Sequence, residues 1–315
     1  MRYKNLTKAN KQFIKDLYAT PNREQAQKKL ANVFEVHPRT IRKWAKRMDL
    51  GLSKGNIVDP AKILIYDIET SRVTAKVWWT GKQYIGHKQL MEEPKIITIA
   101  YKWLGEDKVD YLTWDDNHCD KKMLEDFLQV YNKADMVIGQ NNDRFDNRWV
   151  NARAMKYGLD VNLYVKSFDV MKQTKKLFRL PSYSMAYITK FLGVEEKLQH
   201  EGLRMWDMIQ EGSPSEQKEY LQKMVDYNVQ DIVATEDMYI SLRKYMGHKM
   251  HFGVLSGKEK WTCPNCGGTN ISLYKTTTTT AGTIQRIMKC HDDDTQFKLS
   301  NTNYYKFLIN TNKEN

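Results

Sequence analysis

Two groups of side chains, far apart in the chain, have types and spacings suited to chemistry. In the first, Asp67 and Glu69 end the apolar run AKILIYDI and its continuation with one residue between them. Successive side chains of a strand alternate faces, so both carboxylates turn to the same side. Two desolvated like charges held there cost roughly several kcal/mol, so the pair requires a proton or a bound metal. Downstream, GQNNDRFDNRW sets Asp146 directly after Phe145, and DYNVQD sets Tyr227 four residues before Asp231. On a helix that spacing brings the phenol and the carboxylate to one face. The second group is sulfur-based: Cys263-Pro264-Asn265-Cys266-Gly267-Gly268 carries two thiols around a Gly-rich turn, able to grip one tetrahedral zinc ion. Cys290 offers a third ligand, and either Asp293 or His291 a fourth.

The elements that must position these residues follow from periodicity. Residues 61–68 form a nearly continuous apolar run, as expected of a buried central strand. Residues 94–101, 109–113 and 136–139 read as further strands and 121–131 as a helix. The chain then reads as mainly helical up to a long helix starting at Ser213, where Ser213, Pro214 and Glu216 make a capping box with proline in the first turn. This order predicts an α/β domain, a mixed sheet with helices on its faces. Asp169 reads as a helix cap and is kept out of the metal set; Cys119 reads as a lone buried cysteine. The Thr276–Thr280 run reads as a hairpin tip.

Ahead of this domain, residues 1–55 show three short helical patterns. Thr7 caps the first, Thr20-Pro21 opens the second, and His37-Pro38 opens the third, whose apolar stripe is Ile41, Trp44, Ala45 and Met48. The last two, joined by a short turn, resemble a helix-turn-helix of transposases and phage regulators. That resemblance implies DNA contacts from Arg39, Thr40, Arg42, Lys43, Lys46 and Arg47. Gly51 to Asp59 reads as a linker.

Charge follows the same division. The net +12 is made of +10 over residues 1–55 (14 Lys/Arg against 4 Asp/Glu), −2 over 56–244 (27 against 29) and +4 beyond (9 against 5). A near-neutral middle with basic flanks suits a catalytic body held near a polyanion by attached binding modules. No stretch approaches the roughly 18 apolar residues of a membrane span, so no membrane association and a cytoplasmic location are expected. No HExxH, nucleophile elbow or Walker sequence suggests another chemistry.

Taken in order, the motifs of residues 60–245 resemble those of the DEDD exonucleases, which are DnaQ-like and RNase H-like. The matching segments are Asp67-Ile68-Glu69-Thr70; Gly139, Asn141, Phe145 and Asp146; SFDVMKQTKKLFRLPSYSMAYITKFLG; and Tyr227 with Asp231. Tyrosine four residues before Asp231 fits the tyrosine branch, which includes the proofreading domains of family B DNA polymerases and YprB-like nucleases. The resemblance implies an RNase H-like fold and two Mg²⁺ or Mn²⁺ ions held by Asp67, Glu69, Asp146 and Asp231, as oxygen ligands suit hard cations. It further implies that Tyr227 aims the attacking water, that Asn141 and Phe145 contact the terminal nucleotide, and that Ser182 and Tyr183 line the cleft. Residues 261–299 resemble a zinc ribbon in which Asp293 replaces a cysteine.

The expected organisation is therefore a helix-turn-helix over 1–55, a tyrosine-type exonuclease over 60–246 and a small β zinc ribbon over 258–302. The expected activity is metal-dependent removal of nucleotides from a 3′ end, DNA being favoured as substrate. An RNA-directed exonuclease and an idle DNA-binding regulator on a nuclease scaffold are the alternatives. Nothing after residue 245 has the paired aspartates of a polymerase palm, and the Lys- and Asn-rich composition with a transposase-like flank points to a phage or mobile element.

Overall fold

The computed structural model describes residues 6–18, 23–37, 40–41, 44–45, 48, 61–194, 202–247 and 250–311. Near the N-terminus, α1 (Lys8–Tyr18) and α2 (Arg23–Val33) precede the helical residues Thr40, Ile41, Trp44 and Ala45. Thr7 Oγ1 accepts from Asn10 N at 3.1 Å, the expected cap. Ile14, Leu30, Ile41 and Ala45 are fully buried together with Leu6, Ala31 and Trp44, so this short segment has an apolar centre of its own. Thr20, Pro21, Pro38, Arg39, Arg42, Lys43, Lys46 and Arg47, and the linker, lie outside the described residues.

The body is built on a five-stranded sheet in the order β3-β2-β1-β4-β5. Its strands are β1 (Ile63–Thr70), β2 (Ile96–Trp103), β3 (Asp110–Thr113), β4 (Met136–Gly139) and β5 (Lys166–Asp169). β1 pairs antiparallel with β2 and parallel with β4; β2 and β3 are antiparallel, β4 and β5 parallel. This is the mixed, RNase H-like architecture expected. β5 was not foreseen: its four residues, KSFD, are too short and polar to show a strand period.

A central strand must bury both faces, and β1 does so by alternation. Leu64, Tyr66 and Ile68 pack against α3 (Lys121–Tyr131) and α4 (Asp146–Tyr157) through Leu124, Phe127, Val150 and Ala154. Ile63 and Ile65 face the other way, into a core completed by Ile232, Met238, Tyr239 and Leu242 of the long helix of the body. Between α4 and that helix lie α5 (Val170–Leu177), α6 (Met185–Leu192) and α7 (Leu203–Glu211). The long helix itself, α8 (Pro214–Leu242), runs for 29 residues. Its start is the foreseen one, with proline in the first turn and Glu216 Oε2 taking the Ser213 backbone N–H at 2.9 Å.

The angle of α4 is fixed by a buried ion pair. Arg153 donates Nε and Nη2 to the two Asp120 oxygens at 2.7 and 2.6 Å, and Tyr157 donates to Asp120 at 2.6 Å. Asp120 also accepts from Ile96 N at 3.0 Å, tying α4 to the start of β2. A bidentate, hydrogen-bonded pair of this kind holds its geometry closely.

After α8, the short α9 (Phe252–Leu255) still packs on the body, with Phe252 in the core beside Tyr239 and Met246. An antiparallel sheet then forms from β6 (Ile271–Thr278), β7 (Ile284–Cys290) and β8 (Gln296–Ser300), in that order. The threonine run divides between β6 and the turn that follows, where Gly282 takes φ +77°. A final helix, α10 (Asn301–Thr311), was not foreseen; Phe307 buries it against Trp261 and the cysteines. Cys119 is only partly buried, a correction, because its backbone N–H is held at the surface by Asp115 Oδ1 at 2.8 Å. Among the described residues, no helix is long and apolar enough to cross a membrane.

Candidate active site

Asp67 and Glu69 share the parity of Ile63 and Ile65, so the alternation that buries β1 points both carboxylates toward the face covered by α8. There they meet Asp231: one carboxylate oxygen from each of the three lies within 4.8 Å of the others. Oxygens sharing one Mg²⁺ at about 2.1 Å are up to about 4.2 Å apart, so modest side-chain rotation closes the group on a hard cation. The donor set fits.

Asp146 arrives from the opposite layer. It opens α4, and its Oδ1 accepts the backbone N–H of Ile68, the residue between Asp67 and Glu69, at 3.1 Å. It lines one cleft with Asp67, Glu69 and Asp231 but stands outside the tight group of three oxygens. Burial pushes its carboxyl up to about 7. A cation in the cleft would favour the ionised form and reverse that shift.

The loop delivering Asp146 depends on a glycine. A Cβ at Gly139 would stand 2.7 Å from the Asn142 Cβ and 3.2 Å from the Tyr66 carbonyl, so the chain turns there only without a side chain. Asn141 follows in the left-handed region at φ +70°, and both it and Phe145 line the cleft. Phe145 is 38% exposed, with its ring edge-on to Trp149 at 6.2 Å. Asp169 has the capping role expected of it: its carboxylate takes Lys172 N at 2.9 Å, Asn141 N at 3.2 Å and Asp143 N at 3.3 Å. It therefore holds the Asn141 loop and α5 together.

Of the remaining expected residues, Tyr183 lines the cleft and donates its hydroxyl to the Phe178 carbonyl at 2.9 Å. Ser182 does not line it; its hydroxyl accepts from Ser184 N at 3.2 Å, and Ser184, the cap of α6, lines the cleft instead. Tyr227 is buried on α8, one turn before Asp231. Three contributors went unread in the sequence. Asn228 donates Nδ2 to Asp67 Oδ2 at 2.7 Å, Gln140 lines the cleft while donating to the Tyr183 carbonyl at 3.0 Å, and Met171 adds an apolar wall. Asn228 had one usable signal, its position three residues before Asp231 on the same helix.

The sulfur group also assembles. Cys263, Cys266, Cys290 and Asp293 each offer a ligand atom within 4.8 Å of the others. Cys263 Sγ lies 3.6 Å from Asp293 Oδ1, and Cys266 Sγ lies 3.7 Å from Cys290 Sγ. Of the two candidates for a fourth ligand, His291 turns away to Ser272 Oγ at 2.9 Å, and Asp293 occupies the position. The hydrogen bond from Cys263 draws the Cys266 thiol down to about 7, while burial pushes Cys290 up to about 11. Three thiols and a carboxylate so close cannot all ionise unaided, but all four would around a zinc ion.

In the N-terminal segment, Thr40 is half-buried and donates its backbone N–H to the His37 carbonyl at 2.7 Å. It is the one expected DNA contact among the described residues.

A family model described as RNase_H superfamily matches residues 86–243. That stretch contains Asp146, Tyr227 and Asp231 and begins after Asp67 and Glu69. No curated protein matches the chain. Among solved structures, the chain is similar to the family B DNA polymerase from the hyperthermophilic archaeon Pyrobaculum calidifontis, at 13% identity and a TM-score of 0.45. The match covers 62% of this chain and 26% of the polymerase, about a quarter of that protein's length.

Proposed function

Because the chain belongs to the RNase H superfamily, we propose that it is a metal-dependent 3′ to 5′ exonuclease that hydrolyses the terminal phosphodiester of a nucleic acid strand, with DNA the favoured substrate. One observation carries the reading: Asp67, Glu69 and Asp231, from a strand and a helix far apart in sequence, gather their carboxylates within 4.8 Å in a cleft that Asp146 also lines. A scaffold without catalysis has no use for such a repulsive group.

Asp67, Glu69, Asp146 and Asp231 would hold two Mg²⁺ or Mn²⁺ ions, which would supply the positive charge that an in-line displacement at phosphorus needs. Asn228 keeps the Asp67 carboxylate aimed into the cleft. Tyr227 hydrogen-bonds and orients the attacking water without ionising. Phe145, exposed at the cleft wall, offers its ring to the terminal base, and Asn141 beside it supplies a polar contact. Arg144, Arg148 and Lys175 line, together with Asp143, Asp169 and Lys172, a hollow that shares Asn141 with the acidic cleft; Lys172 is paired there with Asp143 at 2.8 Å, which leaves the other three cations to meet backbone phosphates. The helix-turn-helix read from the sequence of residues 1–55 adds affinity for nucleic acid, and the ribbon read over residues 258–302 would hold a structural zinc.

The test is degradation of 3′-labelled and 5′-labelled DNA and RNA, single-stranded and duplex, with Mg²⁺, with Mn²⁺ and with EDTA. Metal-dependent shortening from the 3′ end, abolished in Asp67→Ala and in Asp231→Ala with binding retained, is expected. Preferential loss of RNA would reassign the substrate; binding with no cleavage of any strand would favour a regulator on a nuclease scaffold.

A further inference from the structure

Between β1 and β2 the chain makes a long excursion over residues 71–95, and its sequence is unusual for a solvated loop. From Ser71 to Met91 it holds Arg72, Lys76, Lys82 and Lys88 and no acidic residue; Glu92 and Glu93 follow at its base, where Lys95 lies 3.5 Å from Glu92. Trp78, Trp79 and Tyr84 are 92%, 63% and 91% exposed. Fully solvated indole and phenol rings cost free energy in water, and a cluster of them on a surface marks an interaction site.

The excursion is an ordered arm. Ser71 and Lys95 close its base, with Ser71 N donating to the Lys95 carbonyl and Lys95 N to Ser71 Oγ, each at 2.8 Å. Ala75 and Leu90 form an antiparallel bridge, flanked by Lys76 N to the Gln89 carbonyl and Met91 N to the Thr74 carbonyl, both at 2.9 Å. The base is also pinned to α7: Trp206 Nε1 donates to the Thr70 carbonyl at 3.0 Å, Gln210 Oε1 accepts from Arg72 N at 2.8 Å, and the Arg72 side chain pairs with Asp207. The aromatic tip is thus presented from a fixed root that continues directly from Glu69 and Thr70.

We propose that this arm is a binding platform for single-stranded nucleic acid, in which Trp78, Trp79 and Tyr84 stack on unpaired bases while Lys76, Lys82 and Lys88 neutralise the backbone. Charge decides the kind of partner: aromatic rings interleaved with cations, with the arm's two acids, Glu92 and Glu93, set at its base, complement a polyanion whose bases are free to stack. Duplex hides its base faces and leaves the rings nothing to cover. The nine residues from Glu69 to Trp78 span at most about 32 Å, so one strand reaches both arm and cleft. Resting on the exonuclease reading, this makes the arm the holder of the strand whose 3′ end enters the cleft.

The test uses the full chain in EDTA, where no hydrolysis occurs, with fluorescein-labelled dT and rU strands of about 20 nucleotides and a duplex of equal length. Trp78→Ala/Trp79→Ala/Tyr84→Ala is expected to weaken single-strand affinity by about tenfold or more, and Trp78→Phe/Trp79→Phe to retain most of it. Comparing dT with rU separates DNA from RNA as the strand held. Unchanged single-strand affinity in the triple variant, or an equal loss on duplex, overturns the platform. Metal-dependent cleavage of the same strands by the triple variant, at strand concentrations high enough to saturate it, reports the cleft separately. If the native chain cleaves no strand, the exonuclease reading falls while the binding result in EDTA stands on its own.

Discussion

Asn228 Nδ2 donates to Asp67 Oδ2 at 2.7 Å, joining two residues that are 161 positions apart and lie on different elements. The bond fixes the carboxylate at the end of β1 from the helix that supplies Asp231. Partners that orient a metal ligand in this way contribute strongly to affinity without touching the ion. Asn228→Ala is therefore expected to raise the Mn²⁺ concentration for half-maximal activity by about 10- to 100-fold while leaving the melting temperature nearly unchanged. An unaltered metal titration would mean that Asp67 needs no such support.

Tyr227 is buried one turn before Asp231, and in the proposed mechanism its phenol orients the attacking water. Tyr227→Phe removes only the hydroxyl. The expected result is a kcat lower by about a hundredfold with little change in KM or in metal affinity, since misplacing a reacting group costs rate rather than binding. A fall in KM-level affinity with kcat preserved would instead give this hydroxyl a substrate-binding role.

Asp120 and Arg153 set the position of α4 and hence of Asp146. Burial raises the Asp120 carboxyl, but the hydrogen bonds from Arg153, Tyr157 and Ile96 N outweigh it and hold the group below its ordinary value. A depressed folded-state value stabilises the fold above the unfolded value of about 3.9, and that contribution disappears as pH falls through the lower folded value. Asp120→Asn should cost about 3–5 kcal/mol at neutral pH by leaving Arg153 buried without its partner, and should flatten the acid limb of the stability curve. Urea melts at several pH values measure both; an unchanged acid limb would place the pH sensitivity elsewhere.

The four-ligand group of the C-terminal module predicts one zinc ion per chain. Asp293→Ala should weaken retention of that zinc, and Asp293→Cys should tighten it, because a thiolate suits Zn²⁺ better than a single carboxylate oxygen. Elemental analysis of the intact protein after dialysis against a chelator reads the order directly. Zinc-free protein with an undisturbed melting curve would show that the module stands on its hairpin and the Phe307 core alone.

Residue types and local periods were enough for much of this protein. β1, β2, the helix over 121–131, β4 and the start of α8 follow from apolar runs and a capping box, signals carried within a few residues of chain. The carboxylates, Tyr227 and the Cys-x-x-Cys pair were visible for the same reason: each has a neighbour at a spacing that fixes a shared face. What needed tertiary structure was everything that depends on which distant segments meet. Asn228 reads as an ordinary helix residue until α8 crosses β1. His291 and Asp293 are equally plausible ligands until the turn after β7 sends one to Ser272 and the other to Cys263. Three polar residues and Phe168 become β5 only because β4 offers them a free edge, and the aromatic arm declares itself only when Trp78 and Tyr84 are found with almost no protein covering them.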